Sequence, residues 1–205
     1  MIPSFLNLEI YYIRNMLRIN FVFIIFLSFI NTAWARPLET SEKYRPTNQG
    51  MIELDKGERM QLSSPSFKNN MSIQQKFTCQ GENINPPLVI LNPPKETKNF
   101  ALVVDDPDAP GGMFVHWVVF NIPPETHEIP ENSVPGTQGR NDFGQLDYGG
   151  PCPPSGEHRY FFKLYALDSK LNLKEGVTKK ELEKAVEGHV LDKTELIGLY
   201  KKISK

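Results

Sequence analysis

Phe100-Ala101-Leu102-Val103-Val104-Asp105-Asp106-Pro107-Asp108-Ala109-Pro110 drives an apolar run straight into three acids held within four positions. Two prolines fix the backbone around them. Five residues further on, His116-Trp117 opens a second apolar run, Val118-Val119-Phe120. Burying a strand that ends in carboxylates is costly unless something pairs with them. A partner is available in a second polar knot, Gly149-Gly150-Pro151-Cys152-Pro153-Pro154-Ser155-Gly156-Glu157-His158-Arg159-Tyr160, which also opens onto an apolar run. Two rigid proline-rich loops at strand ends, each with a histidine, are what a small polar binding pocket requires.

Working outward, short apolar runs punctuated by proline read as strands and turns: Leu88-Val89-Ile90-Leu91 precedes Pro93-Pro94, and Val118 to Ile122 precedes Pro123-Pro124. Alternation places His116, Val118 and Phe120 on one face of their strand and Trp117 and Val119 on the other. It also groups His158 and Tyr160 with Phe162, Leu164 and Ala166 on an inward face, with Arg159 and Lys163 opposite. Helix signals come late. Thr178-Lys179-Lys180-Glu181 is a capping box followed by Leu182, Ala185, Val186 and His189 at helical spacing, and Asp192 with Glu195 marks a possible second start. The reading is mainly β with a few short helices.

The 205 residues divide unequally. Arg14 and Arg18 precede an apolar segment, 21–30, and Ala33-Trp34-Ala35 supplies small residues for cleavage, so residues 1–35 read as a signal peptide and the protein as exported, periplasmic or secreted. Met16 offers an alternative start. Residues 36–50 are polar and aperiodic, a flexible tail. Residues 51–205 are the size of one domain. Subtracting Glu9, Arg14 and Arg18 from 23 basic and 24 acidic residues leaves a formal charge of −2, which excludes nucleic-acid capture by phosphate neutralisation. The two cysteines, Cys79 and Cys152, read as a disulfide in an exported chain.

The chemistry narrows to one pocket. Asp106 and Asp108 are read as holding His116 or His158 in a set orientation and protonation state, with Tyr160 on the same face as His158. The alternative is an acidic turn whose side chains satisfy nearby backbone N–H groups. Prolines at 151, 153 and 154 leave the amides of Gly150 and Cys152 as donors to an anion. The tight turns make X–Pro bonds at 107, 110 and 151–154 candidates for a cis peptide. No ligand spacing supports a metal or another cofactor, and neither a Gly-x-Ser-x-Gly elbow nor a phosphate-binding glycine loop occurs. A hydrolase built on a histidine–carboxylate pair would lack a nucleophile.

Asp106-Pro107-Asp108-Ala109-Pro110, His116-Trp117-Val118-Val119-Phe120-Asn121-Ile122-Pro123 and Gly156-Glu157-His158-Arg159-Tyr160 together resemble the phosphatidylethanolamine-binding protein family, in its bacterial Raf-kinase-inhibitor-like YbhB/YbcL branch. Phe77-Thr78-Cys79-Gln80-Gly81-Glu82-Asn83-Ile84, Gly139-Arg140-Asn141-Asp142-Phe143-Gly144 and Glu187-Gly188-His189-Val190-Leu191 extend the likeness from about Leu62 to Tyr200. The resemblance implies a central antiparallel sheet backed by a smaller one, with peripheral helices and a shallow anion pocket. It maps that pocket onto Asp106, Asp108, His116, His158 and Tyr160, with loop donors at Gly150 and Cys152. It further implies a non-enzymatic binder of phosphate-like anions or phospholipid head groups. The alternative is an inhibitor of a protease or kinase acting through the loops around 142–154. A homodimer is also within the branch's range.

Overall fold

The computed structural model describes residues 59–203; the signal peptide and tail read at 1–50 lie outside the described residues. Nine strands follow one another among the described residues. They are β1 (Gln61–Ser63), β2 (Met71–Ser72), β3 (Leu88–Leu91), β4 (Asn99–Asp106), β5 (Phe114–Ile122), β6 (Glu128–Ile129), β7 (Thr137–Gln138), β8 (Glu157–Leu167) and β9 (Val190–Lys201). One helix, α1 (Lys179–Val186), separates the last two. The large sheet has the order β2-β9-β8-β4-β5-β7, and the small one β1-β3-β6. Every pairing is antiparallel except β2 with β9. This is the mainly β, two-sheet architecture anticipated above. All described peptide bonds are trans, including those at the prolines singled out for a cis bond.

The apolar pattern builds three layers. Leu62, Leu88, Ile90 and Ile129 of the small sheet pack against Phe100, Leu102, Val104, Trp117, Phe162 and Leu164 of the large one. On the far face of the large sheet, Ala101, Val103, Val118 and Phe120 are covered by Leu182 and Val186 of α1. β4 is buried along its whole length, because it sits in the middle of the sheet with cover on both sides. That explains why its residues are apolar without alternation.

α1 starts at the capping box: the Thr178 hydroxyl accepts the Glu181 N–H, and the Glu181 carboxylate accepts the Thr178 N–H. The helix stops before His189, which lies in the following turn with Nδ1 2.8 Å from Asp168 Oδ1. The second helix start at Asp192 is overturned, since residues 190–201 form β9. A local cap cannot compete here with a ladder that pairs β9 to β8 from Val190↔Leu167 to Lys201↔Glu157. The Asp192 carboxylate instead accepts the Met60 N–H. Leu196 and Tyr200 turn toward the inter-sheet core, and Gly198 lies between them. A Cβ at Gly198 would stand 2.4 Å from Ile73 Cγ1 and 3.0 Å from Phe67 Cε2. Gly198→Ala is therefore expected to cost about 2 kcal/mol by overpacking, measured as a lower urea midpoint at unchanged m.

His116 departs from simple alternation. Val104 pairs with Trp117 while Asp105 pairs with Val115, so His116 is an extra residue, a β-bulge. Val118 and Phe120 face α1 and Trp117 and Val119 face the small sheet, as expected. His116, however, crosses to the side of Trp117, with its ring 5.1 Å from that of Tyr160. The bulge therefore puts two successive residues on one face and brings the histidine to Tyr160.

Candidate functional site

Antiparallel order explains why the two loops meet. The end of β4 lies beside the beginnings of β5 and β8, so Asp106, His116 and His158 come together at one edge of the sheet. They line a hollow of about 260 Å³ with Tyr160 and Cys152. Its walls are apolar: Phe114 and Phe143 stand edge-on to each other at 4.8 Å, and Pro153 and Pro154 close the β8 side.

The polar groups are fixed from behind. His158 Nδ1 lies 2.7 Å from Asp106 Oδ2, and both side chains are buried. Asp106 Oδ1 accepts the Asp108 N–H at 2.8 Å, so the carboxylate is held at both oxygens. His116 Nδ1 lies 2.6 Å from the Gly149 carbonyl oxygen. A carbonyl only accepts, so this nitrogen carries the proton. Burial pushes the His116 imidazole below its ordinary value, against the opposing pull of the Gly149 carbonyl and of Asp106, Asp105 and Asp142. A histidine depressed in this way contributes stability that is full above about pH 6.5 and declines as the pH falls below it. The Tyr160 hydroxyl is buried and makes no hydrogen bond of ordinary geometry. Burial raises its ionisation well above the usual phenol range, and Asp106 adds to the rise.

Not every expected residue reaches the hollow. Asp106 holds His158 and not His116, which leans on a backbone carbonyl instead. Asp108 turns outward to Arg159, taking its Nε at 2.9 Å, its Nη2 at 2.7 Å and its backbone N–H at 3.0 Å. The side-chain hydrogen bonds from Arg159 lower its carboxyl to about 2. The group is depressed from 3.8, so its contribution is present above about pH 4 and lost as the pH falls through about 2. Asp108→Asn is expected to reduce stability at neutral pH by no more than about 1 kcal/mol, because solvent screens the pair. Acid unfolding curves of the variant should lose the corresponding slope between pH 4 and 2.

Gly150 also lies outside the lining. Its N–H donates to Asn83 Oδ1 at 2.8 Å, and a Cβ there would sit 2.6 Å from the Phe77 carbonyl oxygen. The glycine serves close packing between the loop and the 77–83 segment. Cys152 does line the hollow and is bonded to Cys79. Asp105, the first of the three acids, faces the opposite side of the sheet, where Lys163 and Lys179 reach it at 2.9 and 2.6 Å. The three acids thus have three different partners. Phe114 and Phe143 were not anticipated as pocket walls; nothing in their local periodicity marks them. Among the described residues no cluster of three His, Cys, Asp or Glu side chains could hold a metal ion.

Comparison with known proteins bears on this arrangement. The family model for phosphatidylethanolamine-binding proteins matches residues 63–201. A UPF0098 protein of Pyrococcus horikoshii is 52% identical over 157 residues, covering 71% of this chain and 79% of the relative. A UPF0098 protein of Chlamydia trachomatis is 42% identical over 149 residues, covering 70% and 99%. The crystal structure of a phosphatidylethanolamine-binding protein homologue from Chlamydia trachomatis superposes with a TM-score of 0.69 at 41% identity, covering 71% of this chain and 99% of that one. Escherichia coli YbcL, described as a member of the mammalian family, gives 0.66 at 31% identity, covering 71% and 99%. With the matched span enclosing β2 to β9 and every polar group of the hollow, the chain belongs to the phosphatidylethanolamine-binding protein family.

Proposed function

We propose that this protein binds, without turnover, a small phosphate-type anion in the hollow at the end of β4. Family membership supports a binding protein; the finer reading rests on one observation. Two imidazoles are each tied through Nδ1, one to Asp106 and one to Gly149, beside a single small hollow. An imidazolium His158 keeps its Nδ1–H on Asp106 and offers Nε2–H to an oxyanion, a charge-assisted hydrogen bond. The apolar walls exclude water and strengthen that contact. They also leave room for the organic part of a phosphate ester, including the head group named for the relatives. Ser155, the serine of this loop, is exposed at its tip and absent from the lining, and the Cys152 sulfur is held in the disulfide.

Titration calorimetry with inorganic phosphate tests the reading. His158→Ala is expected to weaken binding by about tenfold to a hundredfold, the loss of one hydrogen bond to a charged group. Its circular dichroism should be unchanged. Equal affinity in the variant would remove His158 from the site.

A further inference from the structure

We infer that the hollow selects an oxyanion that still carries a proton, a hydrogen phosphate or a monoprotonated phosphomonoester, over proton-free anions such as sulfate and phosphodiesters, and that His116 makes the choice. This rests on the anion reading above and goes beyond it, because that reading treats tetrahedral anions alike.

The argument starts from the Gly149 carbonyl. It holds His116 Nδ1–H at 2.6 Å, which leaves Nε2 at the other edge of the ring. Among the described residues the sealed, unpartnered side-chain polar atoms are Asn99 Oδ1, Asp105 Oδ1 and the Tyr160 hydroxyl. His116 Nε2 is not one of them and has no protein partner, so it opens to the hollow that its ring lines. The charged and titratable groups around the ring are Asp106 from β4, Asp142 from the following loop, and His158 and Tyr160 from β8, while Asp105 acts through the sheet from its far face. The acids favour a second proton on the ring, but burial outweighs them. The neutral ring therefore offers a bare lone pair. Packing by Phe114, Phe143 and Tyr160 at ring separations of 5.3, 5.4 and 5.1 Å keeps it from turning.

A lone pair set against an oxyanion repels it unless the anion brings an O–H. Hydrogen phosphate and a monoprotonated phosphomonoester bring one: the P–OH donates to His116 Nε2 while another oxygen accepts from His158 Nε2–H. Sulfate and a phosphodiester bring none at neutral pH. Either could enter only with a solvent proton added to His116. Sites built around one buried hydrogen bond reject analogues lacking it by at least about tenfold.

The test is calorimetry at about pH 6.5 with four probes: inorganic phosphate, methyl phosphate, sulfate and dimethyl phosphate. A phosphomonoester ionises a second time near pH 6, so a fraction of methyl phosphate keeps its proton there. Phosphate and methyl phosphate are expected to bind, with sulfate and dimethyl phosphate at least about tenfold weaker. Lowering the pH should tighten sulfate as His116 gains a proton. His116→Gln can turn an N–H toward the ligand and should bring the phosphate-to-sulfate ratio to within about twofold. Equal affinity for all four anions in the unaltered protein, or a ratio that does not move with pH, would overturn the inference while leaving anion capture standing. If none of the four binds, the anion reading itself falls.

Discussion

Reducing the Cys79–Cys152 bridge is expected to lower the stability of the protein by about 4 kcal/mol. The bond joins residues 73 apart, and in the chain-entropy account the benefit grows with the logarithm of the closed loop. The native contacts around it survive reduction: Cys79 N–H still donates to the Pro151 carbonyl, and Gly150 N–H to Asn83. The loss therefore falls chiefly on the unfolded ensemble, with the folded pocket wall kept close to its place. The urea midpoint should fall in reductant at nearly constant fold, and Tm by about 10 °C for a domain of this size. Cys79→Ser/Cys152→Ser should behave like the reduced protein. A midpoint unmoved by reductant would show that the bridge does not hold the fold.

A loss of similar size is expected when both lysines at Asp105 are replaced. The Asp105 side chain is wholly buried, and Lys163 and Lys179 keep their stems packed while their ammonium groups reach it. Lys163→Met/Lys179→Met strands a carboxylate inside the protein, which costs about 3–5 kcal/mol. Either single substitution leaves one partner and should cost much less. Adding Asp105→Asn to the double variant should restore most of the loss, because the stranded charge is then gone. Chemical denaturation of the unaltered protein, the double variant, Asp105→Asn alone and the triple variant closes the cycle. If the triple variant is no more stable than the double, desolvation of Asp105 is not the cause.

Much of the fold was legible because the physics behind it is local. The alternation in His158–Leu167 places His158 and Tyr160 on the inner face, and the apolar cluster there is the one expected. The capping box at Thr178 forms in full. The pairing of Cys79 with Cys152 follows from there being only two cysteines. The failures are non-local. Residues 190–201 become a strand because β8 offers a partner along their whole length, which a reading of Asp192 and Glu195 cannot see. Arg159 captures Asp108 across 51 residues of chain, and two lysines capture Asp105 across 58 and 74. Sequence marks a carboxylate cluster but not which counter-charge each acid will meet.

The extra residue at His116 has an effect on how β5 tolerates change. It acts as a phase slip: Phe114 and Val115 run half a step out of time with Trp117 to Phe120. Deleting Phe114 or Val115 would bring the two halves back into step and swing the His116 imidazole away from the hollow, while the stretch that packs both cores kept its orientation. The strand thus uncouples the end that lines the hollow from the end that packs the cores, so the first can be lengthened, shortened or re-aimed in evolution without disturbing the interior that the second maintains.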